Sequence, residues 1–165
     1  MKRKILFFVF SAAALLAPVR AATLDHYSPD VAKSVRLGFG DIRGDYFVDR
    51  PVSDQIMMGL GIPNPTKSLA DGNYLISGCR RHSCDEKSAV IVTAKGATLA
   101  AGIIYFRCGG DPVKRPSAPP VDCTLGPHLR IFMKQKNDRP AFAQELQDWA
   151  AREGYKGTPE TQILR

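Results

Sequence analysis

The chain is organised around one octapeptide, Gly78-Cys79-Arg80-Arg81-His82-Ser83-Cys84-Asp85. Its two cysteines lie close together between two runs of β-forming residues, so a bond between them would close the intervening residues into a small protruding loop. In an oxidising compartment we expect that bond to form and to stabilise the fold by roughly 2 kcal/mol. Its larger effect is rigidity, because a loop that is ordered before binding loses no further freedom when it meets a partner.

The pattern Cys-Arg-Arg-His-Ser-Cys, with Tyr74 before it and the apolar run 89–92 after it, resembles the Ivy family of periplasmic inhibitors of vertebrate (c-type) lysozyme. The best-known members carry Cys-Lys-Pro-His-Asp-Cys, so Arg81 stands in place of proline and Ser83 in place of aspartate. In that family the cysteines form a disulfide and the loop enters the lysozyme cleft, where its histidine hydrogen-bonds the catalytic carboxylates. The likeness covers residues 71–106.

The resemblance implies an inhibitory loop in which His82 is the central contact and the two cysteines form the disulfide that closes the loop. That loop consists of Cys79, Arg80, Arg81, His82, Ser83 and Cys84. The implied fold is an Ivy-like α/β/α sandwich without cofactor or metal, whose partner is c-type lysozyme, and family members can also form homodimers. The alternative keeps the fold and changes the client to the cell's own lytic transglycosylases or another periplasmic partner, because those transglycosylases also present acidic saccharide clefts.

Residues 1–21 have the three features of a secretory signal. Lys2-Arg3-Lys4 forms a cationic start, residues 5–16 form an apolar stretch, and Val19-Arg20-Ala21 is a small-x-small cleavage site. We expect cleavage near Ala21 and export to the periplasm. The apolar stretch is too short to span a bilayer, so no membrane attachment is expected after cleavage.

The signal also accounts for most of the positive charge. The formal net charge is +7, and removing the four cations of residues 1–21 lowers it to about +3. A sequence pI of 9.4 is typical of nucleic-acid-binding proteins, but no stripe of Lys and Arg with interleaved aromatic residues remains. We therefore expect no nucleic-acid partner. The remaining positive charge also predicts weak long-range attraction to lysozymes, which are themselves basic.

Four cysteines in an exported chain predict two disulfides, and three connectivities are open from sequence alone. Proximity favours Cys79 with Cys84 and Cys108 with Cys123.

A small metal-binding module is a further alternative, because thiolate and imidazole groups suit Zn or Cu. Its ligands would be Cys79, His82 and Cys84, with His26 or His128 as the fourth. Exported cysteines this close tend to oxidise, which weighs against that alternative. Enzymatic activity is not expected, because the chain has no Gly-x-Ser-x-Gly, no Cys-x-x-Cys and no evident pair of placed carboxylates.

The mature chain, residues 22–165, suits a single domain of about 144 residues. Periodicity and turn residues predict helices from Pro29 to Gly38, over 53–60 and over 140–153, and strands over 74–77, 88–93, 98–107 and 129–133. The strands over 88–93 and 98–107 are expected to form a hairpin across Lys95-Gly96. Short links between the strands favour an α/β fold with a mainly antiparallel sheet of about five strands flanked by helices. We expect loops at 39–50 and at the Pro-rich segment 109–122, and a loose tail from residue 156 to 165.

Overall fold

The computed structural model describes residues 29–107, 126–134 and 140–164. The three helices of this part are α1 (Pro29–Phe39), α2 (Val52–Gly59) and α3 (Pro140–Arg152). The strands are β1 (Arg43–Asp45), β2 (Asp49–Pro51), β3 (Ile62–Pro63), β4 (Lys67–Ser68), β5 (Tyr74–Arg80), β6 (Ser83–Val92), β7 (Thr98–Phe106), β8 (Pro127–Lys134) and β9 (Glu160–Leu164).

Four long strands, β5 to β8, form an antiparallel ladder in chain order. At one edge of this sheet β3 and β4 both pair with β5, and at the other edge β9 runs parallel to β8. Strands β1 and β2 form a separate small hairpin. The α/β class and the mainly antiparallel sheet are confirmed, but the predicted number of about five strands is wrong, because the main sheet has seven.

The missed strands lie where no local pattern marks them. Residues 39–50 were expected to be loop but contain β1 and most of β2, and the expected loose tail contains β9. Strands β3 and β4 have two residues each and lie among prolines, so they carry no readable alternation. All three edge strands β3, β4 and β9 obtain their hydrogen bonds from a long strand that is already in place, which is why composition alone does not predict them.

Alternating side chains of the central strands contribute to two separate hydrophobic clusters. The cluster that includes α1 and α2 contains Val35, Ile56, Ile76, Val90, Ile103 and Phe132. The cluster that includes α3 contains Leu75, Ile91, Ile131, Phe142, Leu146 and Trp149. Since adjacent residues of one strand point to opposite faces, this division follows from the period of two along β5 to β8.

Helix α3 and the β6–β7 hairpin follow their sequence signals closely. The apolar positions spaced along α3 are buried, including Trp149, and the helix ends just before Gly154, whose φ is +93°. The predicted hairpin across Lys95-Gly96 is also confirmed, with Gly96 at a φ of +77°. None of the helices in the described ranges is both long and apolar enough to cross a membrane.

Several predictions lie outside the described residues. These are the secretory signal of residues 1–21, His26 as a metal ligand, the Pro-rich segment 109–122 and the Cys108–Cys123 pairing.

Candidate functional site at the β5–β6 hairpin

The octapeptide forms a hairpin whose tip is narrower than expected. Strands β5 and β6 continue past both cysteines, so only Arg81 and His82 remain as the turn between the paired residues Arg80 and Ser83. The preceding pair is Cys79 with Lys87, so the register shifts there, and residues 84–86 form a bulge in β6. The expected protruding loop of four residues is therefore wrong in its extent, because backbone pairing extends nearly to the tip.

The predicted disulfide between Cys79 and Cys84 is present, with the two Cα atoms 4.8 Å apart. It joins a buried position of β5 to an exposed position in the bulge of β6. The metal-binding alternative requires both cysteines as thiolates, because the thiolate is the form that binds Zn. In the disulfide neither cysteine is a thiolate. Over the described ranges, no group of three or more His, Cys, Asp or Glu side chains comes together as a metal site.

His82 is exposed and has a φ of +66°, the left-handed region. Among the described non-glycine residues it alone has a positive φ. This conformation costs a residue with a side chain about 1–2 kcal/mol, and such strained positions occur preferentially at functional sites. A positive φ at the second turn residue is typical of a type II turn, in which proline is common at the first position. Arg81 occupies that first position here.

The two arginines of the octapeptide have different environments. Arg80 is half-buried, forms an ion pair with Glu86 at 2.5 Å, and lies over the Phe47 ring with its Cζ 5.8 Å from the centroid. Arg81 is exposed, and its Nε donates a hydrogen bond to the Gly61 carbonyl at 3.3 Å. Arg80 is therefore engaged within the protein, whereas Arg81 and His82 are presented to the outside.

Charge on the rest of the hairpin is partly neutralised within the protein. Lys87 forms an ion pair with Glu153 of the segment that follows α3, at 2.8 Å. Asp85 in the bulge is exposed. Since Glu86 is paired with Arg80, the local field at the turn arises mainly from Arg81, with Asp85 as the nearest exposed acid along the chain.

A buried glutamine holds the segment beside the hairpin. Gln55 of α2 is fully buried. Its side-chain amide hydrogen-bonds the backbone of residues 44–50, which we call the Gln55 loop. Its Oε1 accepts hydrogen bonds from the backbone N–H groups of Tyr46, Phe47 and Val48, and its Nε2 donates to the carbonyls of Gly44 and Arg50. No sequence signal marks this role, because a glutamine in a helix is ordinary and its partners carry no motif.

Strand β3 lies directly beside the turn. Ile62 is opposite Cys79 and Pro63 is opposite Gly78 in the pairing of β3 with β5. A shallow depression next to the turn is lined by Gly61, Ile62, Pro63, Arg81 and His82. The sequence gives no sign that β3 lies beside the turn, because the whole of β4 and β5 separates them along the chain.

Comparison of the chain with family models, with curated proteins and with solved structures finds no match in any of the three. We therefore infer function from the geometry of the hairpin and from the cysteine–histidine motif that it carries. Chemically, the hairpin offers a convex, cross-linked turn with one exposed imidazole and one exposed guanidinium.

Proposed function

We propose that this chain is a periplasmic protein inhibitor of c-type lysozyme, as its likeness to the Ivy motif implies. The β5–β6 hairpin fills the substrate cleft, and His82 hydrogen-bonds the two carboxylates that otherwise act as acid and nucleophile. The observation that carries this proposal is the exposed His82, held at a φ of +66° at the tip of a hairpin cross-linked by Cys79–Cys84. The proposal includes export through cleavage near Ala21 and an Ivy-like α/β/α arrangement.

Pre-organisation is the physical reason why such a turn suits inhibition. Binding normally orders flexible side chains and loops, at a cost of about 0.5–1.5 kcal/mol for each immobilised side chain. Here the disulfide and the strand pairing already order the backbone on both sides of His82. A central anchor that loses its water on binding contributes about 2–4 kcal/mol to affinity, and the proposal assigns this role to His82.

The replacement of proline by Arg81 is compatible with the turn. Proline is favoured at the first position of a turn of this type, which fits the Ivy pattern at the position of Arg81. Arg81 replaces that stiffness with a hydrogen bond from its Nε to the Gly61 carbonyl. The disulfide is also consistent with export, because such bonds persist in the periplasm and are rare in the cytosol.

The test is lysozyme turnover on cell walls, measured across a titration of the mature protein. Wild type should inhibit, and His82→Ala should weaken inhibition by about tenfold or more. His82→Gly removes the imidazole but suits a positive φ, so it should lose inhibition while the melting temperature is kept or raised. Lys95→Ala, which removes an exposed cation from the turn of the neighbouring β6–β7 hairpin, is the matched control and should inhibit like wild type.

If His82→Ala and His82→Gly both inhibit as well as wild type, the imidazole is not the contact and the proposed mechanism is wrong. If wild type does not inhibit lysozyme, the same titration is run against a lytic transglycosylase. One observation favours that second client: the mature chain keeps a formal charge of about +3, and a basic lysozyme would not attract it over long distances.

A further inference from the structure

We propose that the inhibitory surface extends beyond the turn onto an apolar ledge formed by Ile62 and Pro63, the β3 ledge. This ledge packs against the apolar and aromatic rim of the client's saccharide cleft while His82 reaches the carboxylates inside it. The inference rests on the proposed function and adds a second contact of different chemistry to the same interface.

The β3 ledge and the turn form one continuous surface. Ile62 is opposite Cys79 in an antiparallel pair, so the two side chains project from the same face of the sheet. Arg81 ties the turn to the residue before the ledge through its hydrogen bond to the Gly61 carbonyl. The same shallow depression is lined by residues of the ledge and of the turn, namely Ile62, Pro63, Arg81 and His82. A partner cleft that surrounds His82 therefore also contacts the β3 ledge.

The ledge is apolar and exposed. Ile62 is 45% exposed, and the other large exposed apolar residues of the described ranges are Leu37 on α1 and Ile163 on β9. Of these three residues, Ile62 is the one that lines the depression beside the turn. Its neighbour Pro63 is also exposed and has no N–H to donate, which makes β3 a poor edge for pairing with a strand of another chain. Packing through side chains is the association that remains open to it.

A saccharide cleft offers surfaces that match both parts of this interface. Binding clefts are lined mostly by hydrophobic and aromatic side chains, with a few charged groups at fixed positions. The carboxylates of a glycan-cleaving cleft match the imidazole of His82 and the guanidinium of Arg81, and the apolar rim matches Ile62 and Pro63. Apolar contacts are not screened by salt, so they suit a pair of proteins that are both basic.

The experiment compares Ile62→Ser with Ile163→Ser in the lysozyme titration. Both isoleucines lie on edge strands and are similarly exposed, 45% and 42%, but Ile163 is on β9 at the opposite edge of the sheet. We expect Ile62→Ser to weaken inhibition on the order of fivefold, equally at low and high salt. Ile163→Ser should inhibit like wild type, and the conservative Ile62→Val should weaken inhibition less than Ile62→Ser does. Melting temperatures show whether each variant is folded.

A second measurement needs no variant. Hydrogen exchange in residues 61–64 of the wild-type chain should slow when lysozyme is added, and exchange in residues 160–164 should not change.

The outcomes separate the two proposals. If His82→Ala loses inhibition but Ile62→Ser matches Ile163→Ser and residues 61–64 gain no protection, the ledge is not a contact and the proposed function stands. If wild type inhibits neither lysozyme nor a lytic transglycosylase, both proposals are overturned.

Discussion

The β5–β6 hairpin and the Gln55 loop lie side by side, and they are held in place by opposite means. The hairpin is cross-linked by Cys79–Cys84 and presents its turn to the outside. The Gln55 loop is held from within by one buried amide. The disulfide of the hairpin leaves Arg81 and His82 exposed at the turn. In the Gln55 loop, Tyr46 and Phe47 pack against the core instead.

The core contacts of the Gln55 loop show this second role. The Tyr46 ring packs edge-on against Tyr105 and Phe132, at centroid distances of 4.9 and 5.7 Å. Burial raises the pKa of the Tyr46 phenol, and nearby Arg130 acts in the opposite direction. The loop therefore serves stability, and the proposed function assigns binding to the hairpin. They meet where Arg80 lies over Phe47.

The largest effect is expected for Gln55, and it tests whether the Gln55 loop affects stability without affecting inhibition. Gln55→Leu leaves three backbone N–H groups and two carbonyls without their side-chain partner, so we expect the free energy of unfolding to fall by about 3 kcal/mol. Inhibition per folded molecule should not change. Denaturant unfolding gives the first quantity, and titration at a temperature where the variant is folded gives the second. Gln144→Leu, at an exposed position of α3, is the control and should change stability by less than about 0.5 kcal/mol.

Removing the disulfide tests the hairpin in the same way. The double variant Cys79→Ser, Cys84→Ser should lower the free energy of unfolding by roughly 2 kcal/mol and should also weaken inhibition several-fold, because the turn must then be ordered on binding. Unfolding and inhibition are measured on the same preparation. Lower stability with undiminished inhibition would show that the bond serves the fold alone, and the contrast between the two regions would then fail.

The smallest effect concerns the contact between the two regions. Phe47→Leu removes the ring beneath Arg80 and should cost about 0.5–1 kcal/mol of stability, with inhibition reduced by no more than about twofold. The matched pair is Arg107 over Tyr105, at 5.7 Å. Arg107→Gln should cost a similar amount of stability and leave inhibition unchanged. Equal effects of both variants on inhibition would mean that the Arg80–Phe47 contact does not position the hairpin.

Much of the fold could be predicted from short-range pattern. The apolar spacing that buries Leu146 and Trp149 marks α3, and Gly96 marks the β6–β7 hairpin, because in both cases the signal and the structure involve neighbouring residues. The close spacing of Cys79 and Cys84 likewise predicted their bond. In the candidate site, the sequence does not distinguish the two arginines, whereas the structure leaves Arg81 exposed and pairs the half-buried Arg80 with Glu86.

The tertiary structure alone decided the contacts between residues that are far apart in the chain. Strand β9 exists because β8 offers it a partner, and the Gln55 loop has its shape because one buried amide reaches five backbone groups. The β3 ledge comes beside His82 only when β3 pairs with β5. Local patterns report the conformation that a segment prefers by itself. Hydrogen bonds and contacts between distant segments form only when the whole sheet is assembled, and they decide which side chains surround the turn.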